Sequence, residues 1–64
     1  MFKVGQKVRV IANNSYHEFE IGETVRVRTL LKNGEVESAE CLDSSEYWFI
    51  EEEDIQPVDE EVSQ

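Results

Sequence analysis

Very little in this chain could cross-link a fold or carry covalent chemistry. There is one cysteine, Cys41, so an intramolecular disulfide is excluded, and a lone thiol fits a reducing, cytoplasmic setting. There is one histidine, His17, twenty-four positions from Cys41. No serine–histidine–acid order near it distinguishes a nucleophile from ordinary surface residues, and an enzyme is not expected. No apolar run approaches the roughly 18 residues of a membrane span, and no basic-then-apolar leader is present. No long 3.6-residue hydrophobic period appears, which excludes a helical fold. The single proline, Pro57, lies near the end. Lys and Arg are missing altogether from residue 33 onward.

What is present is a strongly divided charge. The 64 residues carry a net charge of −9. Residues 1–32 hold all six Lys and Arg against three acids, a net +3, and residues 33–64 hold twelve acids, a net −12. Such a chain either pairs its halves internally or shows an acidic face to a basic partner. Direct nucleic-acid binding is disfavoured, because phosphates would be repelled. A chain of this length makes one domain and buries only about 60% of its unfolded surface, so nearly every apolar residue must serve one core.

The apolar residues alternate with polar ones over short stretches. Phe2, Val4, Val8, Val10 and Ala12 share one parity and Lys3, Lys7 and Arg9 the other, the period of a half-buried strand from Phe2 to Ala12. Val4-Gly5-Gln6-Lys7-Val8-Arg9-Val10 and Ile21-Gly22-Glu23-Thr24-Val25-Arg26-Val27 repeat the pattern apolar-Gly-x-x-Val-Arg-Val seventeen residues apart. Two copies do not make a solenoid. They predict two strands, each starting from a glycine turn, with valines inward and arginines outward. Between them, Tyr16 to Ile21 is a loop whose aromatics are expected to cover one end of the core.

A second strand runs from Thr24 to Leu31, and Asn33-Gly34 is a hairpin signal. In the third strand, Glu35 to Leu42, either Val36 and Leu42 or Ala39 and Cys41 point inward, or a bulge changes parity midway. Asp43 to Glu46 is a polar turn. Tyr47 to Ile50 is a fourth strand, Glu51-Glu52-Glu53 one helical turn, and Ile55 to Val58 a last strand that Pro57 confines to an edge. Alternation sets Tyr47 and Phe49 on one face and Trp48 and Ile50 on the other, without saying which is outward. The prediction is an all-β fold, a five-stranded barrel over residues 1–58 with a flexible acidic tail over 59–64.

Three motifs together carry a resemblance. Phe2-x-Val4-Gly5-x-x-Val8-x-Val10, Ile21-Gly22-Glu23-x-Val25-x-Val27 and Tyr47-Trp48-Phe49-Ile50-x-x-Glu53-Asp54-Ile55-x-Pro57-Val58 resemble the small Src-homology-3-like barrels encoded by bacteriophages and prophages. The likeness covers roughly residues 2–58 and implies a small barrel working in a bacterial cytoplasm. Eukaryotic signalling domains end similarly but read proline-rich ligands through tyrosines in two loops. Only Tyr16, Tyr47 and Trp48 are available here, which argues against such a groove.

The candidate sites follow from charge and aromatics. Glu46, Glu51, Glu52, Glu53, Asp54, Asp59, Glu60 and Glu61 set eight carboxylates in sixteen residues. With the neighbouring aromatics, they make Tyr47, Trp48, Glu51, Glu52, Glu53 and Asp54 the candidate protein-binding residues, suited to a basic or aromatic-lined partner. An alternative is that the acids imitate nucleic acid and inhibit a host nuclease, defence system or polymerase. A second alternative is RNA binding through the outward stripe Lys7, Arg9, Arg26 and Arg28, although acids on the third strand are expected to pair with these bases. His17 with Glu18 and Glu20 matches no recurrent zinc spacing, and Glu51 to Asp54 lacks the pattern of a calcium loop. No metal or cofactor is expected, and the chain is expected to be a monomer or weak homodimer.

Overall fold

A computed structural model of the chain describes residues 2–58; the predicted acidic tail at 59–64 lies outside them. Five strands form one antiparallel sheet: β1 (Lys7–Val10), β2 (Thr24–Leu30), β3 (Val36–Cys41), β4 (Tyr47–Phe49) and β5 (Ile55–Pro57), with a 3₁₀ turn at Glu52–Asp54 just before β5. The spatial order is β4-β3-β2-β1-β5. The five strands are those expected, but they do not close on themselves. β4 and β5 are opposite edges, and among the described residues no ladder joins them. Each is three residues long. The sheet is open, and its order is compatible with a small barrel-like fold.

The seventeen-residue repeat acquires a geometric meaning. Val8 and Val25, equivalent in the two copies, face each other across β1 and β2, so a local two-fold axis passes between them. Hydrogen bonds repeat about that axis. Gly5 N–H donates to the Val27 carbonyl at 2.8 Å and Gly22 N–H to the Val10 carbonyl at 2.7 Å. Val27 N–H donates to Gln6 and Val10 N–H to Glu23, both at 2.8 Å. Each copy opens with a tight turn, closed by Gln6 N–H on the Lys3 carbonyl and by Glu23 N–H on the Glu20 carbonyl. The side chains repeat as well: Gln6 accepts from Lys3 N–H at 2.9 Å and Glu23 from Glu20 N–H at 3.1 Å. Gly5 and Gly22 sit at φ +91° and +98°, a region that L side chains enter only at a cost.

The strand valines of both copies (Val8, Val10, Val25 and Val27) form the centre of the core with Phe19, Val36, Ala39, Ile50 and Ile55, but Val4, expected to share their parity, is 63% exposed because it precedes the Gly5 turn and lies outside β1. Burying each of the valine, isoleucine and phenylalanine side chains contributes roughly 1.5–3 kcal/mol. Of the loop aromatics, Phe19 covers the core as expected, but Tyr16 is 89% exposed and adopts φ +60°. In β3 the parity changes midway. Arg28 on β2 and Glu37 on β3 are each extra residues, and the register on either side of the two is the same. These opposed bulges put Val36 and Ala39 on the core side, which combines parts of both predicted parities, while Ser38, buried on the opposite side of the strand, meets the Thr29 hydroxyl at 2.6 Å.

Candidate interaction surface

β4 owes its exposure to its position. It pairs only with β3, setting Tyr47 opposite Glu40, Trp48 opposite Ala39 and Phe49 opposite Ser38. Paired residues point to the same side of a sheet. Ala39 is in the core, so Trp48 lies on the core side, at the open margin of the sheet. Tyr47 and Phe49 lie on the outer face. All three are exposed, by 43, 39 and 63% for Tyr47, Trp48 and Phe49, whereas Ile50 is only 2% exposed. The apolar anchor of this strand is therefore Ile50. The Tyr47 and Phe49 rings meet edge to face, centroids 6.3 Å apart. The Arg28 guanidinium stacks over Tyr47 at 3.6 Å from its centroid; as the bulge residue of β2 it is released from the ladder to do so.

The acidic run behind β4 divides into surface and interior. Glu51 and Glu53 are exposed. Glu52 is half-buried and accepts the Val36 N–H at 3.1 Å. With Leu31, Glu35 and Val36 these three glutamates line an open cleft of about 470 Å³. Asp54 departs from the predicted acidic face, because it is wholly buried. One carboxylate oxygen accepts the Asn14 N–H at 2.9 Å and the Asn14 side-chain amide at 3.0 Å. The other accepts the Ser15 N–H at 3.1 Å and the Ser15 hydroxyl. Burial alone would raise the Asp54 carboxyl. The Ser15 hydroxyl, the two backbone N–H groups and the Asn14 amide outweigh it and hold the carboxyl below the ordinary range. Asp54 thus ties the acidic turn to the 13–17 loop and presents no charge to a partner.

That loop is itself fixed locally. Asn13 and His17 exchange two hydrogen bonds, each 2.9 Å. The buried His17 ring accepts the Phe19 N–H on Nδ1 at 3.1 Å and donates from Nε2 to the Ala12 carbonyl at 2.7 Å, which assigns the neutral Nε2–H tautomer. His17 Nε2 is also 3.9 Å from Asp54. With its proton directed to Ala12, that approach is a contact rather than an ion pair. His17 is occupied in shaping the loop.

The predicted basic stripe is partly engaged. Arg26 Nε donates to Glu40 at 2.9 Å, an acid of the third strand as expected. Glu37 instead accepts the Thr29 hydroxyl at 3.0 Å. Arg28 lies on Tyr47. Lys7 is the register partner of Arg26, and Arg9 that of Thr24 and Gln56. The stripe thus contains two arginines already holding side chains of β3 and β4. Among the described residues, no three His, Cys, Asp or Glu side chains gather as metal ligands, and no helix is long and apolar enough to cross a membrane.

Reasoning from sequence missed Asn14 and Ser15 as the partners of Asp54, and Glu52 as a cap on β3. One signal was present: Asp54 is the only Asp in a run of Glu, and a short carboxylate suits close approach to backbone N–H groups. Comparison with protein families, with characterised proteins and with solved structures finds no match to this chain.

Proposed function

We propose that this protein is a small, non-enzymatic interaction module that docks a protein partner through β4 and the acids beside it. The observation carrying this reading is the exposure of three consecutive aromatics, Tyr47, Trp48 and Phe49, on an edge strand. Core demand does not account for them, since Ile50 already anchors the strand. Exposed aromatics ringed by charge are the usual anchors of protein interfaces. Glu46, Glu51 and Glu53 are exposed nearby and would select a basic partner surface. The strand order, together with the single turn before β5, is compatible with a small barrel-like fold; the likeness to the Src-homology-3-like barrels of bacteriophages and prophages, and with it a bacterial cytoplasm as the setting, rests on the sequence motifs alone.

A second reading draws on the open cleft, around which Glu35, Glu51, Glu52 and Glu53 are gathered. Spaced carboxylates of this kind could occupy a host enzyme's nucleic-acid groove. Capture from host lysate separates the two readings. Under the docking reading, Trp48→Ala and Phe49→Ala lose the partner while the fold, followed by circular dichroism, persists. Under mimicry, reversing Glu51 and Glu53 to Lys abolishes capture of a nucleic-acid enzyme and the aromatic variants do not. If capture is unchanged in every variant, the surface is not an interface.

A further inference from the structure

The two edges of the sheet are not alike. On β5 the backbone bonds Ile11 N–H to Asp54 and Val58 N–H to Lys7, with the β1 register, direct Gln56 toward β1 and Ile55 and Pro57 away from it. The Ile55 N–H is taken by the Glu52 carbonyl, and Pro57 has no N–H. That edge offers no outward donor from either residue. On β4, Cys41 N–H bonds Glu46 and Ile50 N–H bonds Glu37. With the β3 register, these bonds turn Trp48 toward β3 and the N–H and C=O groups of Tyr47 and Phe49 outward. Among the described residues these groups have no hydrogen-bond partner. One edge is blocked, and the other presents two complete donor–acceptor pairs beneath exposed aromatic rings. An edge left in this state is a template for another strand.

From this asymmetry we infer that β4 receives an extended, basic peptide segment of a partner protein by strand addition. The inference rests on the docking reading and specifies its geometry. The incoming strand would bond the main chain of Tyr47 and Phe49, lay alternate side chains on those rings and set the others beside Trp48. Its charge follows from the surroundings. Asp43, Glu46, Glu51 and Glu53 are exposed around β4, and the nearest cation at the strand, Arg28, is already on Tyr47. Lys or Arg flanking the bonded residues would meet those carboxylates. A second copy fits less well. Antiparallel pairing of β4 with itself brings the Glu46 and Glu51 regions of the copies together, each chain carrying −9 overall.

The probes are fluorescent hexapeptides of alternating Lys and Val, measured by anisotropy and by amide NMR on the intact protein. We expect the basic peptide to bind, and a matched Glu–Val peptide to bind at least tenfold more weakly. N-methylating one alternate set of peptide nitrogens should weaken binding tenfold or more, while methylating the other set spares it. The amide signals of Tyr47 and Phe49 should move more than that of Trp48. Equal binding of both methylated forms overturns strand addition, and so does the absence of any peptide binding. If Trp48→Ala and Phe49→Ala still lose a captured partner, the docking reading survives that failure. Sedimentation showing a dimer that Phe49→Pro dissolves would assign the edge to a second copy and overturn the basic-peptide inference.

Discussion

Replacing Asp54 with asparagine should unfold much of what this small domain has to spare. The amide keeps one acceptor oxygen. Turned to hold both groups of Asn14, it aims its NH₂ at the Ser15 N–H, two donors facing each other at a wholly buried position. Hydrogen bonds to a charged acceptor contribute about 1.5–3 kcal/mol each, and a buried donor left without a partner costs about 1–3 kcal/mol. Allowing the Ser15 hydroxyl to turn and donate elsewhere, the expected loss is roughly 2–4 kcal/mol. A domain of this size has only about 3–9 kcal/mol in total. Urea unfolding followed by circular dichroism at neutral pH measures the difference. Glu53→Gln, one position away and exposed, should shift stability by less than about 0.5 kcal/mol.

The same pair of proteins carries a pH test. Hydrogen bonds hold the folded Asp54 carboxyl below its ordinary range, so the unfolded chain binds this proton more readily. The stabilisation is therefore complete above the unfolded value of about 3.9 and is lost as pH falls through the lower folded value. The gap between wild type and Asp54→Asn should be wide at neutral pH and narrow steadily in acid. Comparing the two proteins cancels the other carboxylates. A gap that stays constant down to about pH 2, or one below about 0.5 kcal/mol at neutral pH, would refute the role assigned to Asp54.

Further outcomes are open to the same assay. Gly5→Ala and Gly22→Ala should each cost about 1–2 kcal/mol and by similar amounts, because an added Cβ meets nothing at either site and the penalty is the positive φ alone; unequal costs would break the two-fold equivalence. Ile50→Ala should cost about 2–4 kcal/mol while Phe49→Ala costs under about 1, which thermal unfolding can separate. Arg28→Ala should cost about 0.5–1 kcal/mol, and much less in a Tyr47→Ala background if the stacking contact is its source. Arg26→Ala should cost no more than about 1 kcal/mol and less at high salt, since its pair with Glu40 is half-exposed.

Much of this fold is legible in local pattern. Alternation marks β2 to β5 to within a residue, because a two-residue period buries one face whatever the strand pairs with, but it extends β1 back to Phe2 where the strand begins only at Lys7, after the Gly5 turn. The glycine at the head of each repeat marks a turn, since its backbone reaches a region closed to other residues. Pro57 marks an edge because it cannot donate. The aromatic strand is recognisable from composition, yet its facing is not, since alternation fixes pairs and not which pair is inside.

Tertiary structure decided the rest, for reasons of distance along the chain. By charge, four consecutive acids look alike in sequence. Asp54 goes inside because Asn14 and Ser15, forty and thirty-nine residues earlier, bring their donors to it. The bulges at Arg28 and Glu37 arise only when two strands are laid together, and one of them frees Arg28 to cover Tyr47. The openness of the sheet likewise depends on β4 and β5 coming to lie at opposite edges. The sequence by itself determined which segments extend, where they turn and which edge is blocked. Only the assembled sheet decided which carboxylate is structural and which edge remains unpaired, because both depend on partners the chain must fold to find.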